Sequence, residues 1–335
     1  MNIVVTTISP PTKGAEQISS ELNQRGGTFW VIGDRNGPPA YNLANTRFFD
    51  IETQLRLPFH LAGLLPEGHY ARKNLGYLLA IQDGASFLVE TDDDNIPQPN
   101  FWLPRSSSIS TNHVQQSGWF NVYLEFSDCR IWPRGFPLEE LQHSFALGAK
   151  SESALNEREC LIQQGLADQN PDVDAVYRLT RTLPVAFKRR APVSLGQGCW
   201  CPFNSQNTTF FKPAFPLLYL PTHCTFRMTD IWRSFIAQRC LWAMDSQVAY
   251  TAATVYQERN EHNLVRDLED EIPGYLQNNR IRRLLEETPL DAGRTRAVVA
   301  GNLARSYEAL IRAGILPARE LALVEAWNRD LASLP

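Results

Sequence analysis

The chain has 335 residues, 43% hydrophobic and 20% charged, which is typical of a globular protein with a large core. Its formal net charge of -4 at pH 7 excludes general nucleic-acid binding, which needs a basic surface. No run of about 18 apolar residues occurs, so no transmembrane segment is predicted. The N-terminus enters a strand without a basic signal region, and the six cysteines are sparse. We therefore expect a cytoplasmic protein with reduced thiols and no structural disulfide.

The first hundred residues alternate between strand and helix patterns. Apolar β-branched runs predict strands, and apolar residues four apart predict helices. In chain order we predict strand 3–8, helix 14–24, strand 28–32, strand 48–51 and helix 69–82. This alternation predicts a Rossmann-like α/β half.

An unusual acidic run follows the next apolar strand. The strand pattern at 87–91 leads directly into Asp92, Asp93 and Asp94. Three adjacent carboxylates repel one another, whereas a hard divalent cation such as Mg²⁺ or Mn²⁺ prefers oxygen ligands and substrate phosphates. The end of a strand in an open α/β sheet is also where ligands bind. The run predicts a metal-bridged phosphate site, and the alternative is a solvated acidic turn.

The middle of the chain carries weaker signals. Residues 101–148 are aromatic and loop-rich, and 184–221 predict irregular structure with short strands. A helix is predicted at 155–164, with Gly165 ending it. The segment 172–179 fits either the start of a helix or a strand.

The last third of the chain is predicted to be helical. A strong helix pattern covers 229–242, with Thr229 or Asp230 as its cap. Helical periodicity continues from 264 to 334 in pieces. The breaks are predicted near Pro273–Gly274, Pro289 and the segment 314–317.

Six segments together give the chain a resemblance to a known family. The chain resembles GT-A nucleotide-sugar glycosyltransferases and, more narrowly, the STELLO (DUF288) glycosyltransferase family. The resemblance spans roughly residues 3–245, while the last 90 residues match poorly. The segments are VVTTISPPT at 4–12, RKNLGY at 72–77, ETDDDN at 90–95, IWPRGFP at 131–137, DVDAVYRLT at 172–180 and TFRMTDIWR at 225–233.

The resemblance implies an overall architecture. It implies an α/β fold of the GT-A type, with a Rossmann-like mixed sheet flanked by helices and a helical C-terminal region. The implied domains are a GT-A domain at 1–262, with a nucleotide-binding half at 1–100 and an acceptor half at 101–262, and a helical extension at 263–335.

The acidic run acquires specific roles through this resemblance. It corresponds to a D-x-D motif that holds Mn²⁺ or Mg²⁺ on the donor diphosphate. The resemblance implies that Asp94 binds the metal directly and that Asp92 lies toward the ribose or the metal, with Asp93 between them. It further implies that His262 completes the metal shell, for which a neutral imidazole is suited. The alternative for His262 is a structural role.

Nucleotide contacts are implied at the strand ends and at the start of the helix 69–82. Arg72 offers a planar fork for a phosphate or a base edge. Arg72 is preferred to Lys73 because adjacent helical residues do not share a face. The implied nucleotide-sugar contacts are Thr6, Thr7, Ile8, Asp34, Arg72, Asp92 and Asp93. The alternatives are ordinary strand, turn and surface roles for these residues.

The implied acceptor side contains a base and an aromatic platform. Asp230 is the candidate catalytic base that deprotonates the acceptor hydroxyl. Its alternative is a plain N-cap, and an enzyme that retains anomeric configuration needs no such base. Trp132, Arg134 and Trp232 are the candidate acceptor residues, with core packing as the alternative for the tryptophans.

The functional prediction is a metal-dependent glycosyltransferase. It would move a sugar from a nucleotide-diphosphate donor to a hydroxyl of a glycan or lipid-linked acceptor in surface-polysaccharide synthesis, with peripheral membrane contact compatible with that role. Two alternatives stay open. One is a nucleotide-sugar mutase resembling the reversibly glycosylated polypeptides, and the other is a non-catalytic nucleotide-sugar-binding module.

Overall fold

A computed structural model describes residues 1–147, 154–258 and 263–335. The strands are β1 Asn2–Thr7, β2 Thr28–Gly33, β3 Thr46–Phe49, β4 Phe87–Thr91, β5 Asn95–Pro97, β6 Ser108–Val114, β7 Gly118–Trp119, β8 Asn156–Glu159, β9 Ile162–Asp168, β10 Val193–Leu195, β11 Cys199–Trp200, β12 Asn207–Phe211 and β13 Val248–Gln257. The helices are α1 Lys13–Arg25, α2 Ile51–Leu55, α3 Lys73–Gln82, α4 Tyr123–Phe126, α5 Leu141–Leu147, α6 Ala175–Thr180, α7 Thr229–Ala243, α8 Leu264–Glu287, α9 Arg296–Arg312 and α10 Glu320–Ala332. Short 3₁₀ turns occupy Tyr70–Arg72, Pro99–Trp102, Leu138–Glu140, Lys212–Leu218 and Phe226–Met228.

A mixed sheet is the centre of the fold. In the described residues it has eleven strands, ordered β3-β2-β1-β4-β12-β9-β13-β10-β6-β8, with β5 paired to β13. β3, β2, β1 and β4 are mutually parallel, whereas β12 runs antiparallel to both β4 and β9. Parallel pairing places the carboxyl ends of β1, β2 and β4 at one edge, which is where ligands bind in such sheets. The predicted α/β class with a mixed sheet, flanking helices and a helical C-terminal region is confirmed.

The N-terminal elements follow the predicted order. α1 begins at the Thr12 cap, whose side chain accepts the Ala15 N–H, and buries Ile18 and Leu22 against the sheet. The predicted helix at 69–82 is a 3₁₀ turn that continues into α3. The third strand, predicted at 48–51, ends at Phe49 because Asp50 caps the short helix α2.

The predicted helix at 155–164 is wrong, because this segment forms β8 and the start of β9. Strand pairing decides the structure: β9 lies between β12 and β13, and most of it is buried. Gly165 does not end a helix. It lies within β9, where an added Cβ would be 2.4 Å from the side-chain nitrogen of Asn207. The neighbouring strands therefore override the local helical spacing.

Two helix boundaries also differ from the prediction. α8 passes through Pro273 without a break, and Gly274 packs so closely on Met228 that a Cβ would lie 2.3 Å from its sulfur. α7 begins after Met228 without a side-chain cap, so the predicted capping by Thr229 or Asp230 is wrong. The ambiguous segment 172–179 contains α6, which the Asp174 carboxylate caps by accepting the Tyr177 N–H.

The C-terminal helices pack on the same core as the sheet. Leu303 of α9 and Trp327 of α10 belong to the large hydrophobic cluster that also contains Phe235 of α7. Among the described residues, every helix is too short or too polar to cross a bilayer. All six cysteines lie in the described ranges and are free thiols, as predicted. The division of the chain at residue 262 stays a prediction.

Candidate functional site

A cleft of about 520 Å³ opens at the carboxyl ends of β1, β2 and β4. Its lining combines the acidic run, several cations and a few aromatic rings. The lining residues are Thr6, Thr7, Ile8, Ser9, Ile32, Gly33, Asp34, Asn36, Gly68, His69, Tyr70, Arg72, Asp92, Asp93, Asp94, Arg134, Asp172, Ser205, Gln206, Phe226, Arg227, Asp230 and Gln257. The fold therefore brings together most of the predicted donor-site residues.

Asp92, Asp93 and Asp94, called the acidic turn below, directly follow β4. Each carboxylate has a different protein neighbour. The Asp92 carboxylate lies 3.6 Å from the Lys73 ammonium, and Asp94 accepts from the Gln257 amide at 3.0 Å through both oxygens. Asp93 accepts a hydrogen bond from the Thr7 hydroxyl. These contacts hold the acidic turn in place at the lining of the cleft.

Negative charge is concentrated at this turn. The surrounding protein displaces water from Asp92 and raises its pKa to about 7, with Asp94 and Asp93 adding repulsion and Lys73 opposing the shift. Burial and the Asp94 charge likewise raise the pKa of Asp93, against the Thr7 hydrogen bond. A cation placed here would relieve this repulsion, because it favours the ionised form of each carboxylate.

The acidic turn offers some of the oxygen ligands that a hard cation needs, but not a complete set. Within residues 1–147, 154–258 and 263–335, no three His, Cys, Asp or Glu side chains converge as a preformed metal cage. Mg²⁺ and Mn²⁺ are commonly held by one or two carboxylates with substrate phosphates completing the shell. The donor set of Asp92 and Asp94 fits that open kind of site. His262, the third predicted ligand, lies outside the described residues.

Adjacent residues Arg72 and Lys73 make different contacts within the protein. Lys73 is 1% exposed and donates to the Thr91 carbonyl at 3.0 Å, beside the acidic turn. Arg72 is also 1% exposed and donates through Nε to Gln54 at 2.6 Å and through Nη1 to the Leu65 carbonyl at 2.9 Å. Arg72 lines the cleft, whereas Lys73 meets the acidic turn through Asp92, and the nucleotide contact predicted for Arg72 stays a prediction.

Asp34 connects the end of β2 to the loop before α3. Its carboxylate accepts the main-chain N–H groups of Arg35, Gly68 and His69 at 2.7, 2.9 and 3.1 Å. Thr6, Thr7 and Ile8 line the cleft at the neighbouring end of β1, with Ile8 62% exposed. The strand-end residues predicted to contact the nucleotide thus lie side by side.

A buried ion cluster also lines the cleft. The Arg134 guanidinium binds the Asp172 carboxylate through two hydrogen bonds of 2.8 Å and the Asp230 carboxylate through two of 2.9 Å. All three side chains are less than a tenth exposed. Arg134 thereby joins its own segment to those of Asp172 and Asp230. Asp230 also accepts the Ser205 N–H at 3.0 Å.

These contacts bear on the role predicted for Asp230, which stays a prediction. Burial alone would raise the pKa of Asp230, but the charge and hydrogen bonds of Arg134, the Arg233 charge and the Ser205 N–H outweigh it and hold that pKa well below its usual range. A carboxylate so stabilised in its ionised form is a weak proton acceptor. Asp230 therefore fits a structural partner of Arg134 better than a free general base.

The acceptor platform predicted from the tryptophans is wrong. Trp132 is 3% exposed and donates to Asp174 at 2.7 Å, while Trp232 is 2% exposed and donates to Asn278 at 3.0 Å. Neither ring lines the cleft, because both are packed in the hydrophobic core. Of the three predicted acceptor residues, Arg134 alone reaches the cleft.

Several cleft residues were missed by the sequence analysis. Asp172, Phe226 and Arg227 lie in segments that carried the family resemblance, which was the available signal. Ser205 and Gln257 reach the cleft only through the strand order of the sheet, so no local pattern marked them. The missed residues are Ser9, Ile32, Gly33, Asn36, Gly68, His69, Tyr70, Asp172, Ser205, Gln206, Phe226, Arg227 and Gln257.

Two curated proteins that this chain matches are both named as probable glycosyltransferases. The chain is 30% identical over 280 residues to probable glycosyltransferase STELLO2 of Arabidopsis thaliana, covering 76% of this chain and 35% of that protein. It is 29% identical over 280 residues to probable glycosyltransferase STELLO1 of the same plant, with the same coverage. The chain thus spans about a third of the length of these curated relatives.

A solved structure and a family model complete the comparisons. The glucosyl-3-phosphoglycerate synthase of M. tuberculosis aligns with a TM-score of 0.38 and 12% identity, covering 83% of this chain and 79% of that one. The model of the STELLO glycosyltransferases matches residues 227–335. This match corrects the expectation that the last 90 residues resemble the family poorly. The relatives and the family model together show that this chain is similar to the STELLO glycosyltransferases.

Proposed function

We propose that the chain is a metal-dependent glycosyltransferase of the cytoplasm. It moves a sugar from a nucleotide-diphosphate donor to a hydroxyl of a glycan or lipid-linked acceptor, in the synthesis of a surface polysaccharide. The observation that carries the proposal is the acidic turn beside Lys73, in a cleft that extends to the ends of β1 and β2. Similarity to the STELLO glycosyltransferases supports the glycosyl-transfer chemistry, and six free thiols are compatible with a reducing compartment.

The acidic turn and Lys73 would have different roles at the donor diphosphate. Asp92 and Asp94 would hold Mn²⁺ or Mg²⁺, which supplies Lewis-acid stabilisation of the leaving diphosphate. Lys73 lies 3.6 Å from Asp92 and adds a fixed positive charge at the same end. Asp93 is bound to Thr7 and keeps the turn in register with the end of β1. Charge that develops on the diphosphate thus meets preorganised positive groups.

Product analysis tests the proposed reaction. The full chain is incubated with Mn²⁺ and a panel of nucleotide-diphosphate sugars, with and without saccharide acceptors, and products are separated by mass. We expect release of nucleoside diphosphate that increases with acceptor and stops with EDTA. Sugar isomerisation without nucleotide release would replace the proposal with a mutase. Binding without any turnover would replace it with a binding module.

The pH dependence of donor binding gives a separate prediction. Because the pKa of Asp92 is about 7 in the metal-free protein, protons occupy this carboxylate below neutral pH and compete with the cation. We expect Mn²⁺-dependent binding of UDP or GDP to weaken by up to about tenfold per pH unit below pH 7. Calorimetric titration between pH 5.5 and 8 measures this, with EDTA as the control. Binding that is equally tight at pH 5.5 and 8 would contradict the assignment of Asp92.

A further inference from the structure

Helix α8 carries large apolar side chains on the face that points away from the protein. One side of this helix packs on the rest of the chain through buried residues such as Asn278 and Leu285. On the other side Val265, Ile272 and Leu276 are 70%, 46% and 71% exposed. Spacings of seven and four residues place these three side chains in one line along the helix. An exposed apolar line bordered by charged residues is typical of a docking surface.

Charged side chains lie on the same exposed face of α8. Glu269 and Arg283 are exposed and fall at the same helical spacing as the apolar line. Within the described part of the chain neither has an ion-pair partner, whereas the neighbouring Arg282 pairs with Glu286 at 2.8 Å. The face thus presents an unpaired carboxylate in the first half of the helix and an unpaired guanidinium in the second half.

A second copy of α8 laid antiparallel on the first would match these groups. Leu276 lies at the middle of Leu264–Glu287, so a two-fold axis there pairs positions equally far on either side of it. Glu269 and Arg283 are each seven residues from Leu276. The Glu269 of each copy therefore meets the Arg283 of the other, and Leu276 meets its own equivalent. A parallel pairing would instead set each charge against its own kind.

The remaining positions of the antiparallel pairing are compatible with it. Ile272 would face Arg280, whose aliphatic stem can cover an apolar side chain while its guanidinium donates to the Ala313 carbonyl at 2.8 Å. Arg266 and Glu287 are exposed and lie ten and eleven residues from the axis, so they would form a further pair of opposite charge. The charges of this face are therefore self-complementary.

The same charges argue against a membrane as the occupant of this face. A helix that lies on anionic lipids is rich in Lys and Arg beside its apolar side. On α8 the carboxylates of Glu269 and Glu287 share the exposed face with the arginines, so the face has no large excess of positive charge. We propose that the exposed face of α8 joins two copies of this chain, antiparallel about a two-fold axis at Leu276.

The proposed interface lies on a different side of α8 from the cleft. On the buried side of α8, the Glu271 carboxylate accepts from the Arg227 guanidinium at 2.8 Å, and Arg227 lines the cleft. Pairing through the exposed face therefore leaves the cleft of each copy open to ligands. The inference goes beyond the proposed function and does not depend on it.

The mass of the full chain in solution tests the inference. Sedimentation equilibrium between about 1 and 100 µM covers the range in which such a contact should form. We expect the mass to rise with concentration from 38.0 kDa toward twice that value. Leu276→Glu places a charge at the axis and should give a monomer throughout. Leu103→Glu is the matched control and should still form the dimer, because Leu103 is 61% exposed but lies outside α8.

Charge reversal tests the antiparallel arrangement. Glu269→Arg or Arg283→Glu alone would set like charges together at two places, and each should raise the dimer Kd about tenfold or more. Combining the two substitutions restores opposite charges and should return the Kd to within about threefold of the wild-type value. All three positions are exposed, and circular dichroism checks that each variant is folded.

Three results would overturn the inference. The first is a wild-type chain that stays monomeric at every concentration, including one that cosediments with phosphatidylglycerol vesicles, which would assign the face to a membrane. The second is a dimer that survives Leu276→Glu, because the contact would then lie elsewhere. The third is a folded double charge-reversal variant that dimerises as weakly as either single variant.

Discussion

Asp94→Asn is expected to weaken Mn²⁺-dependent binding of UDP or GDP by about 100-fold while leaving thermal stability unchanged or slightly higher. The substitution removes a negative charge from the oxygen set of the acidic turn but keeps the shape of the side chain. It also removes repulsion, because the Asp94 charge raises the pKa of both Asp92 and Asp93. Calorimetry with Mn²⁺ and with EDTA measures binding, and a thermal melt measures stability.

Weaker nucleotide binding without a loss of thermal stability distinguishes a ligand-binding role from a structural one. A residue kept for stability would lose both properties together. Asp83→Asn is the matched control, because Asp83 is partly exposed and pairs with Arg47 away from the cleft. It should leave nucleotide binding unchanged. Wild-type Mn²⁺-dependent binding by Asp94→Asn would remove the metal assignment.

Arg134→Met is expected to lower the free energy of unfolding by about 3–5 kcal/mol. The substitution leaves the Asp172 and Asp230 carboxylates buried on one wall without the cation that each binds through two hydrogen bonds. Arg134 also donates to the Arg227 carbonyl, so the start of α7 loses a tether. Urea unfolding followed by circular dichroism measures the change, and Arg134→Lys should give an intermediate loss because lysine lacks the planar fork.

An exposed ion pair provides the control for this experiment. Arg312 pairs with Glu308 on the surface of α9, where the two side chains are 69% and 40% exposed. Arg312→Met should change stability by less than about 0.5 kcal/mol. If Arg134→Met unfolds at the wild-type urea concentration, the buried cluster does not support the cleft wall.

The same cluster shows why Asp230 was assigned a different role from the sequence. An Asp near the start of a strong helix is equally compatible with a cap, a catalytic base and an ion-pair partner. Its partners Arg134 and Ser205 are distant in the chain and meet it only in the folded protein. Trp132 and Trp232 present the same difficulty, because an indole that stacks on a sugar and one that fills a core have the same sequence signature.

Local sequence patterns were sufficient to predict much of the secondary structure of the N-terminal half. Short apolar β-branched runs and apolar residues four apart predicted β1, α1 and β2, since these elements depend on neighbouring residues and a period of 2 or 3.6. The acidic turn was recognisable because three adjacent carboxylates after a strand are unfavourable without a positive partner. The sequence by itself therefore determined the α/β class and the position of the acidic end of the cleft.

Tertiary structure decided what depends on contacts between distant segments. β9 lies between β12 and β13, so strand pairing overrode its helical spacing. The ion cluster of Arg134, Asp172 and Asp230 likewise forms only where three distant segments meet in the folded chain. Hydrogen-bond partners and burial are properties of the packed chain, because a side chain's neighbours are set by the sheet order and not by its position in the sequence.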